Sequence, residues 1–425
     1  MRLMFRWLRK GLVAVALALV VLAAGHGDSR PSDLDLAVAP HRFSLVRWEL
    51  SHFLDKWVHK LGDILPWNSA PAQADRIAQA QEFFALGTRL RELEQRLLFP
   101  LDTTGSHLSS GEERSLREQV EGLKRERGRM RAEVEETIEA EVSSILVQEG
   151  FASRIGLIFP PVDTVLSRSP GVLILSPRDR IHRLQTILLN PGLDDEERGR
   201  VEDRVFREEN LAALVESTGG VATYPSFVTD STGLRHALEN TAHEWLHHWF
   251  FFQPLGQHFW DSAQMTTLNE TAATLAGRVI GDRAYSSMTG APVPREPELP
   301  PPPDPGGFDT DRSRVFDFDA AMRETRLRTA ELLAQGKIEE AEAYMEERRQ
   351  LMAANGRFIR KINQAFFAFH GSYATSPASI SPIDEQLKAL QSRSKSLEEF
   401  IKTVGSFGSY GEFLERLDSD AGGIH

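Results

Sequence analysis

The sequence predicts an α+β, mostly helical protein: a small mixed sheet with its helices, preceded by an N-terminal helical hairpin and followed by a C-terminal helical subdomain. Three observations carry this reading. Residues 73–150 repeat dense charge at helical spacing, with few apolar positions. From residue 151, short apolar runs alternate with Pro and Gly in the manner of strands and turns. A Pro-rich stretch, TGAPVPREPELPPPPDPGG at 289–307, then separates this block from a second helical one.

Taken in order, residues 1–27 form a signal peptide or membrane anchor. Arg2, Arg6, Arg9 and Lys10 precede the apolar run GLVAVALALVVLAA, the layout of an export signal or short anchor. The positive flank stays cytoplasmic, so the expectation is a single-pass cell-membrane protein with its bulk outside the cytoplasm, or a secreted one if the segment is cleaved. Residues 28–68 form a juxtamembrane amphipathic segment, with Leu45, Trp48, Phe53, Leu54, Trp57, Leu61 and Ile64 at near-helical spacing.

Residues 69–150 read as a helical hairpin with coiled-coil character, its second helix opened by Ser109 or Ser110 with Glu112 and Glu113 in the first turn. Such an arm is a spacer or the docking site of a protein partner. Residues 151–287 form the α+β core. Strands are expected at Ile155–Phe159, Val172–Leu175 and Leu184–Leu189, then a helix from Leu193 toward Glu216 and a strand-like VATYPSFV. Two helices follow, Leu234–Phe251 and one from near Thr266 to Ile280. Residues 288–312 are a Pro-rich linker, and 313–425 a helical subdomain with a turn at Gly336-Lys337, a helix over 356–369 and more helix over 383–417.

Composition narrows the chemistry. The net charge of −12 leaves no basic footprint for a phosphate backbone, so nucleic acid is not an expected partner. With no Cys, disulfides, thiolate nucleophiles and Cys-ligated metals are excluded, and any metal takes His, Asp, Glu or other oxygen donors.

Residues 243–247 read HEWLH. Histidines at i and i+4 share one helix face, so both imidazoles can reach one ion. Glu244 sits beside the first of them and can act on an open coordination position as a general base. Leu234, Leu238, Ala242, Leu246 and Trp249 form a separate apolar face. On the next helix, NETAA at 269–273 offers Glu270 as a third ligand, 23 residues after His247. Ala272, Ala273, Ala276 and Gly277 on that helix permit close approach. His258 and Asp261, in the loop between the helices, are the alternatives. His248 reads as structural, and Glu239 as either a surface acid or a carboxylate that orients a ligand. Tyr373 or His370, in FFAFHGSYA, can donate to an oxyanion. The cluster Trp249–Phe252 reads as core.

HEWLH followed by NETAA resembles the gluzincins, zinc metallopeptidases with H-E-x-x-H and a downstream N-E-x-x-A. The resemblance covers about residues 155–285 and implies a zincin-like catalytic core. It also implies Zn²⁺ held by His243, His247 and Glu270, Glu244 as the base for the attacking water, and a peptide or protein substrate. Phe250 and Gln253 stand where the metzincin branch needs Gly and His. The G-x-M-E-N motif of one aminopeptidase branch is absent. The competing expectation is a non-catalytic, membrane-tethered coiled-coil scaffold with a structural or vestigial zinc site. Retention of Glu244 favours the enzyme.

Overall fold

The computed structural model describes residues 34, 38–45, 72–98, 109–154, 156–293 and 316–422. The α+β, mostly helical class holds. Helices α1 (Gln73–Leu98) and α2 (Ser110–Gln148) form the hairpin. Their cross-pairs run antiparallel: Gln73 with Glu141, Gln79 with Glu133, Glu94 with Lys124. Ser109 caps α2 in a reciprocal capping box with Glu112.

The strand material divides into two three-stranded sheets. In one, β1 (Thr164–Ser167) runs parallel to β6 (Ser226–Thr229), which pairs antiparallel with the two-residue β5 (Gly220–Val221). In the other, β2 (Gly171–Pro177) is flanked antiparallel by β3 (Gln185–Leu189) and β4 (Leu211–Ser217). Strand alternation sends Val172, Ile174 and Leu214 to one face of this second sheet and Leu173, Leu175 and Val215 to the other. Helix α3 (Asp195–Glu209) covers the latter face with Val201 and Val205.

Buried glutamates close strand edges in both sheets. Glu139 and Glu135 of α2 accept from the backbone N–H of Thr164 and Leu166 at 2.8 and 2.7 Å. One helical turn between the carboxylates, about 6 Å of rise, matches the two-residue step of about 6.6 Å along the strand. Glu202 of α3 likewise accepts from Val215 N–H at 2.6 Å, and Arg360 and Lys361 neutralise it. These unpaired edge donors therefore never face an apolar wall.

Helices α4 (Leu234–Phe251), the short α5 (Pro254–Gln257) and α6 (Ala263–Thr289) follow. The central core joins α4 and α6 to α2 through Ile138, Val142, Leu238, Trp245, Leu268 and Ile280, all essentially inaccessible. The C-terminal block contains α7 (Phe318–Ala334), α8 (Ile338–Ala354), α9 (Gln364–His370), α10 (Ile383–Arg393), α11 (Leu397–Gly405) and α12 (Tyr410–Gly422). Phe366 and Phe367 of α9 pack on the Val172–Ile174 face of the second sheet. Residues of α10, α11 and α12 join the central core.

Several expectations need correction. The run ending at Phe159 is not a strand. Pro160-Pro161 follows it with no N–H to donate, Leu157 and Phe159 are exposed, and the strand forms at Thr164 instead. Ile155 lies outside the described residues. The helix after Leu193 stops at Glu209, because Asn210 adopts a left-handed conformation (φ 54°) and Leu211–Ser217 is recruited as β4. The helix expected over 356–369 is only Gln364–His370, starting where Asn363 caps it. Helix α6 begins at Ala263, capped by Ser262, and continues to Thr289.

The single-pass membrane expectation, with its transmembrane helix, is also corrected. Among the described residues no helix is long and apolar enough to cross a membrane. Helices α1, α2, α4 and α6 have the length but carry charges such as Glu82, Arg127, Glu239 and Arg278 within it. The N-terminal run 11–24 on which the expectation rested, the segment 28–68 apart from residues 34 and 38–45, and the linker 294–315 lie outside the described residues.

Candidate metal centre

Helix α4 buries Leu234, Ala237, Leu238, Thr241, Ala242 and Trp245 along one stripe. Trp245 anchors the helix by donating its indole N–H to the Pro160 carbonyl at 2.7 Å. His243 and His247 lie on a second face, one turn apart, against α6. The contact is set by glycine. A Cβ on Gly277 would stand 3.0 Å from the His243 backbone, and one on Gly281 would stand 2.5 Å from the Glu239 Cα. The two helix backbones thus meet along a ridge that only small residues allow.

That approach brings three ligand atoms together. Nε2 of His243 and Nε2 of His247 are 3.0 Å apart, and Glu270 Oε2 is 3.7 Å from the first and 3.5 Å from the second. For metal–ligand bonds of about 2.0–2.1 Å, tetrahedral geometry separates neighbouring donors by about 3.3 Å. The triangle is close to that size, so His243, His247 and Glu270 can hold one metal ion. Asn269 completes the arrangement: its carbonyl oxygen accepts from His247 Nδ1 at 2.9 Å, which leaves the Nε2 lone pair for the ion.

Electrostatics follow from burial. Burial alone would lower the His247 pKa, but the facing Glu270 charge outweighs it and pushes the imidazole up to about 9. Burial would raise the Glu270 carboxyl, but the His247 charge and the bonds to both imidazoles hold it far below the carboxylate range. Glu244 is buried beside these groups, and that desolvation raises its pKa despite His243 and His247. Gly220 of β5 makes its space, since a Cβ there would stand 2.3 Å from Glu244 Oε1.

Tyr373 arrives from the C-terminal block, more than a hundred residues away in sequence. The backbone N–H of Ala374 donates to Thr271 Oγ1 at 3.1 Å, pinning this segment one residue past Glu270. The phenol lines the same cleft as Glu270. Glu270's charge, then burial and Glu244, raise the phenol pKa well above its usual value, so it stays a neutral donor. His370 is elsewhere, 3.7 Å from Glu216 and stacked on Phe366. His258 and Asp261 bond to each other at 2.6 Å, both well exposed, and do not join the ligand group. Glu239 pairs with Arg235. His248 stacks edge-on against Tyr224 at 5.6 Å, and burial lowers its pKa to about 4.

His243, Glu244, His247, Glu270 and Tyr373 open onto a cleft of about 830 Å³, bounded also by Val172, Leu188, Val221 and Phe259. The aromatic cluster expected as core divides here. Phe250 is fully buried, but Phe251 (68% exposed) and Phe252 (52%) rim the cleft with Phe159 and Trp260 (82%). Sequence reading missed Gly220, Thr271 and Arg183, all at or beside this cleft. Gly219-Gly220 carried a local signal but read as a turn, whereas Thr271 and Arg183 carried none. No family model, curated protein or solved structure matches this chain.

Proposed function

We propose that this chain is a zinc-dependent metallopeptidase acting in the cleft beside α4 and α6. The observation that carries the reading is one constellation: three converging ligand atoms, a buried carboxyl at Glu244, and a neutral phenol at Tyr373, all on one open cleft. Two imidazole nitrogens with one carboxylate, at near-tetrahedral spacing, favour zinc over the oxygen-seeking Mg²⁺ and Ca²⁺. The open side toward the cleft argues for catalysis over a structural site, which four protein ligands ordinarily close.

Bound zinc supplies Lewis-acid polarisation of the peptide carbonyl and acidifies water in its open position. Glu244 then takes the proton of the attacking water and returns it to the leaving amine. Its burial moves the carboxyl pKa upward, which makes it a stronger acceptor for the water's proton. Tyr373 donates its O–H to the carbonyl oxygen as that atom gains negative charge. Asn269 keeps His247 in one tautomer, and Thr271 holds the backbone that carries Tyr373.

The test pairs metal analysis with hydrolysis of a broad mixture of peptides by the full chain and by Glu244→Gln. One zinc per chain is expected in both, with turnover reduced by about 10²–10⁴-fold in the variant. Equal turnover in the two, or none by the zinc-loaded parent, removes the reading.

A further inference from the structure

Among the described residues, Arg183 is the one Lys or Arg side chain on the walls of this cleft. It comes from the loop between β2 and β3, whose strands also contribute Val172, Thr186 and Leu188 to the same walls. Its neighbours in that loop are paired, Arg178 with Glu342 at 2.7 Å and Arg180 with Asp179 at 3.1 Å. Arg183, half-buried, makes no ion pair or hydrogen bond among the described residues. Its charge is felt at Tyr373, where it opposes the upward pull of the carboxylates on the phenol.

An unanswered guanidinium against largely apolar walls costs free energy that an anion would recover. The chain as a whole is acidic, so this cation is a local exception to the net −12. Once a divalent ion offsets Glu244 and Glu270, the Arg183 charge is left over. The exposed rings of Phe159, Phe251, Phe252 and Trp260 add an apolar rim to the same opening.

We infer that Arg183 recognises a substrate carboxylate, so that the cleft selects peptides presenting an anionic group together with bulky apolar side chains. The guanidinium fork matches a carboxylate with two parallel N–H···O bonds, which lysine cannot reproduce. The carboxylate comes from a chain terminus or from Asp and Glu, and both present the same chemistry to the fork. The inference rests on the peptidase reading for the nature of the substrate.

The experiment separates binding from turnover. Zinc-loaded full-length Glu244→Gln, immobilised, is offered randomised octapeptides containing Asp, Glu, Gln, Lys, Phe and Leu, half with free and half with amidated C-termini. Retained peptides carrying a carboxylate are expected to be enriched about tenfold, the order set by one charge-assisted bidentate pair. That enrichment should vanish with Arg183→Gln and turn toward Lys-containing peptides with Arg183→Glu. Enrichment that follows the free terminus whatever the side chains assigns the site to the terminal carboxylate; enrichment that follows Asp and Glu in amidated peptides assigns it to side chains. A preference unchanged in both Arg183 variants, or no carboxylate preference at all, overturns the inference. Peptides held through Arg183 but left intact by the zinc-loaded parent would leave the inference standing and remove the peptidase reading.

Discussion

Two helix pairs in this molecule solve the packing problem in opposite ways. Along α1 and α2 the buried side chains of Leu90, Leu93, Leu116 and Val120 fill the seam, and polar pairs such as Lys124–Glu94 and Gln79–Glu133 cross it at its exposed edge. Gly122 and Gly128 lie on that hairpin in open space. Along α4 and α6 the backbones touch, and Gly277 and Gly281 are where they touch. The difference teaches what a shared metal site demands. Imidazole and carboxylate side chains are short, so ligands from two helices reach one ion only when the helices themselves are close. The arm has no such demand: it fills its gap with apolar side chains such as Leu90, Leu93, Leu116 and Val120 and leaves its charges at the edge.

Breaking the close pair at its ligands should have the largest effect. Glu270→Ala should weaken zinc binding by at least a hundredfold, much as His243→Ala or His247→Ala does, because a tetrahedral site cannot spare one of three protein ligands. Asp261→Ala and His258→Ala should leave it unchanged. Competition titration with a chelating dye measures all five, and a zinc affinity sensitive to His258 but not Glu270 would reassign the site.

Next comes the packing itself. Gly281→Ala puts a methyl 2.5 Å from the Glu239 Cα, where backbone must move, and should destabilise by about 1–3 kcal/mol. Denaturant melts of the metal-free protein give the number without interference from bound zinc.

The charge state of the pair predicts a pH effect with a definite sign. His247 is held protonated up to about pH 9 by Glu270, and a metal needs its lone pair. Below that pH each bound zinc displaces one proton, so apparent affinity should fall about tenfold per unit as pH is lowered, and level off above 9. In the metal-free chain the same raised pKa stabilises fully below the ordinary 6.5 and that contribution is lost as pH climbs through about 9. Titration calorimetry in buffers of different ionisation enthalpy counts the proton, and a count of zero contradicts the assignment.

The smallest effects sharpen the contrast from the other side. Gly128→Ala, on α2 with nothing near the new methyl, should stabilise by about 0.5–1 kcal/mol through helix propensity alone. The same chemical change thus has opposite signs on the two pairs. Lys124→Ala should cost no more than about 0.5 kcal/mol, as its pair with Glu94 is solvent-exposed. Thermal melts resolve both.

What could be read without coordinates was what lies within one element. HEWLH and NETAA each sit inside a single helix, and a 3.6-residue period by itself puts His243 and His247 on one face. The small residues of α6 announced close approach for the same local reason. The mostly helical class, the hairpin and a capping signal at Ser109 or Ser110 were likewise written in short-range pattern. The tertiary structure decided everything that depends on distant partners. Leu211–Ser217 has residues suited to continue a helix, yet β2 offers it a ladder, and Asn210 turns the chain into it. Two sheets form where one was expected, because a helix face covers each and buried glutamates seal edges in both. Tyr373 joins Glu270 on the cleft wall beside a bond from the Ala374 N–H to Thr271, and Arg183 enters the cleft on a hairpin loop whose neighbours are tied elsewhere. Local periodicity fixes which face a side chain occupies, but only the packing of whole elements, driven by burial and by the need to satisfy backbone donors, fixes what that face meets.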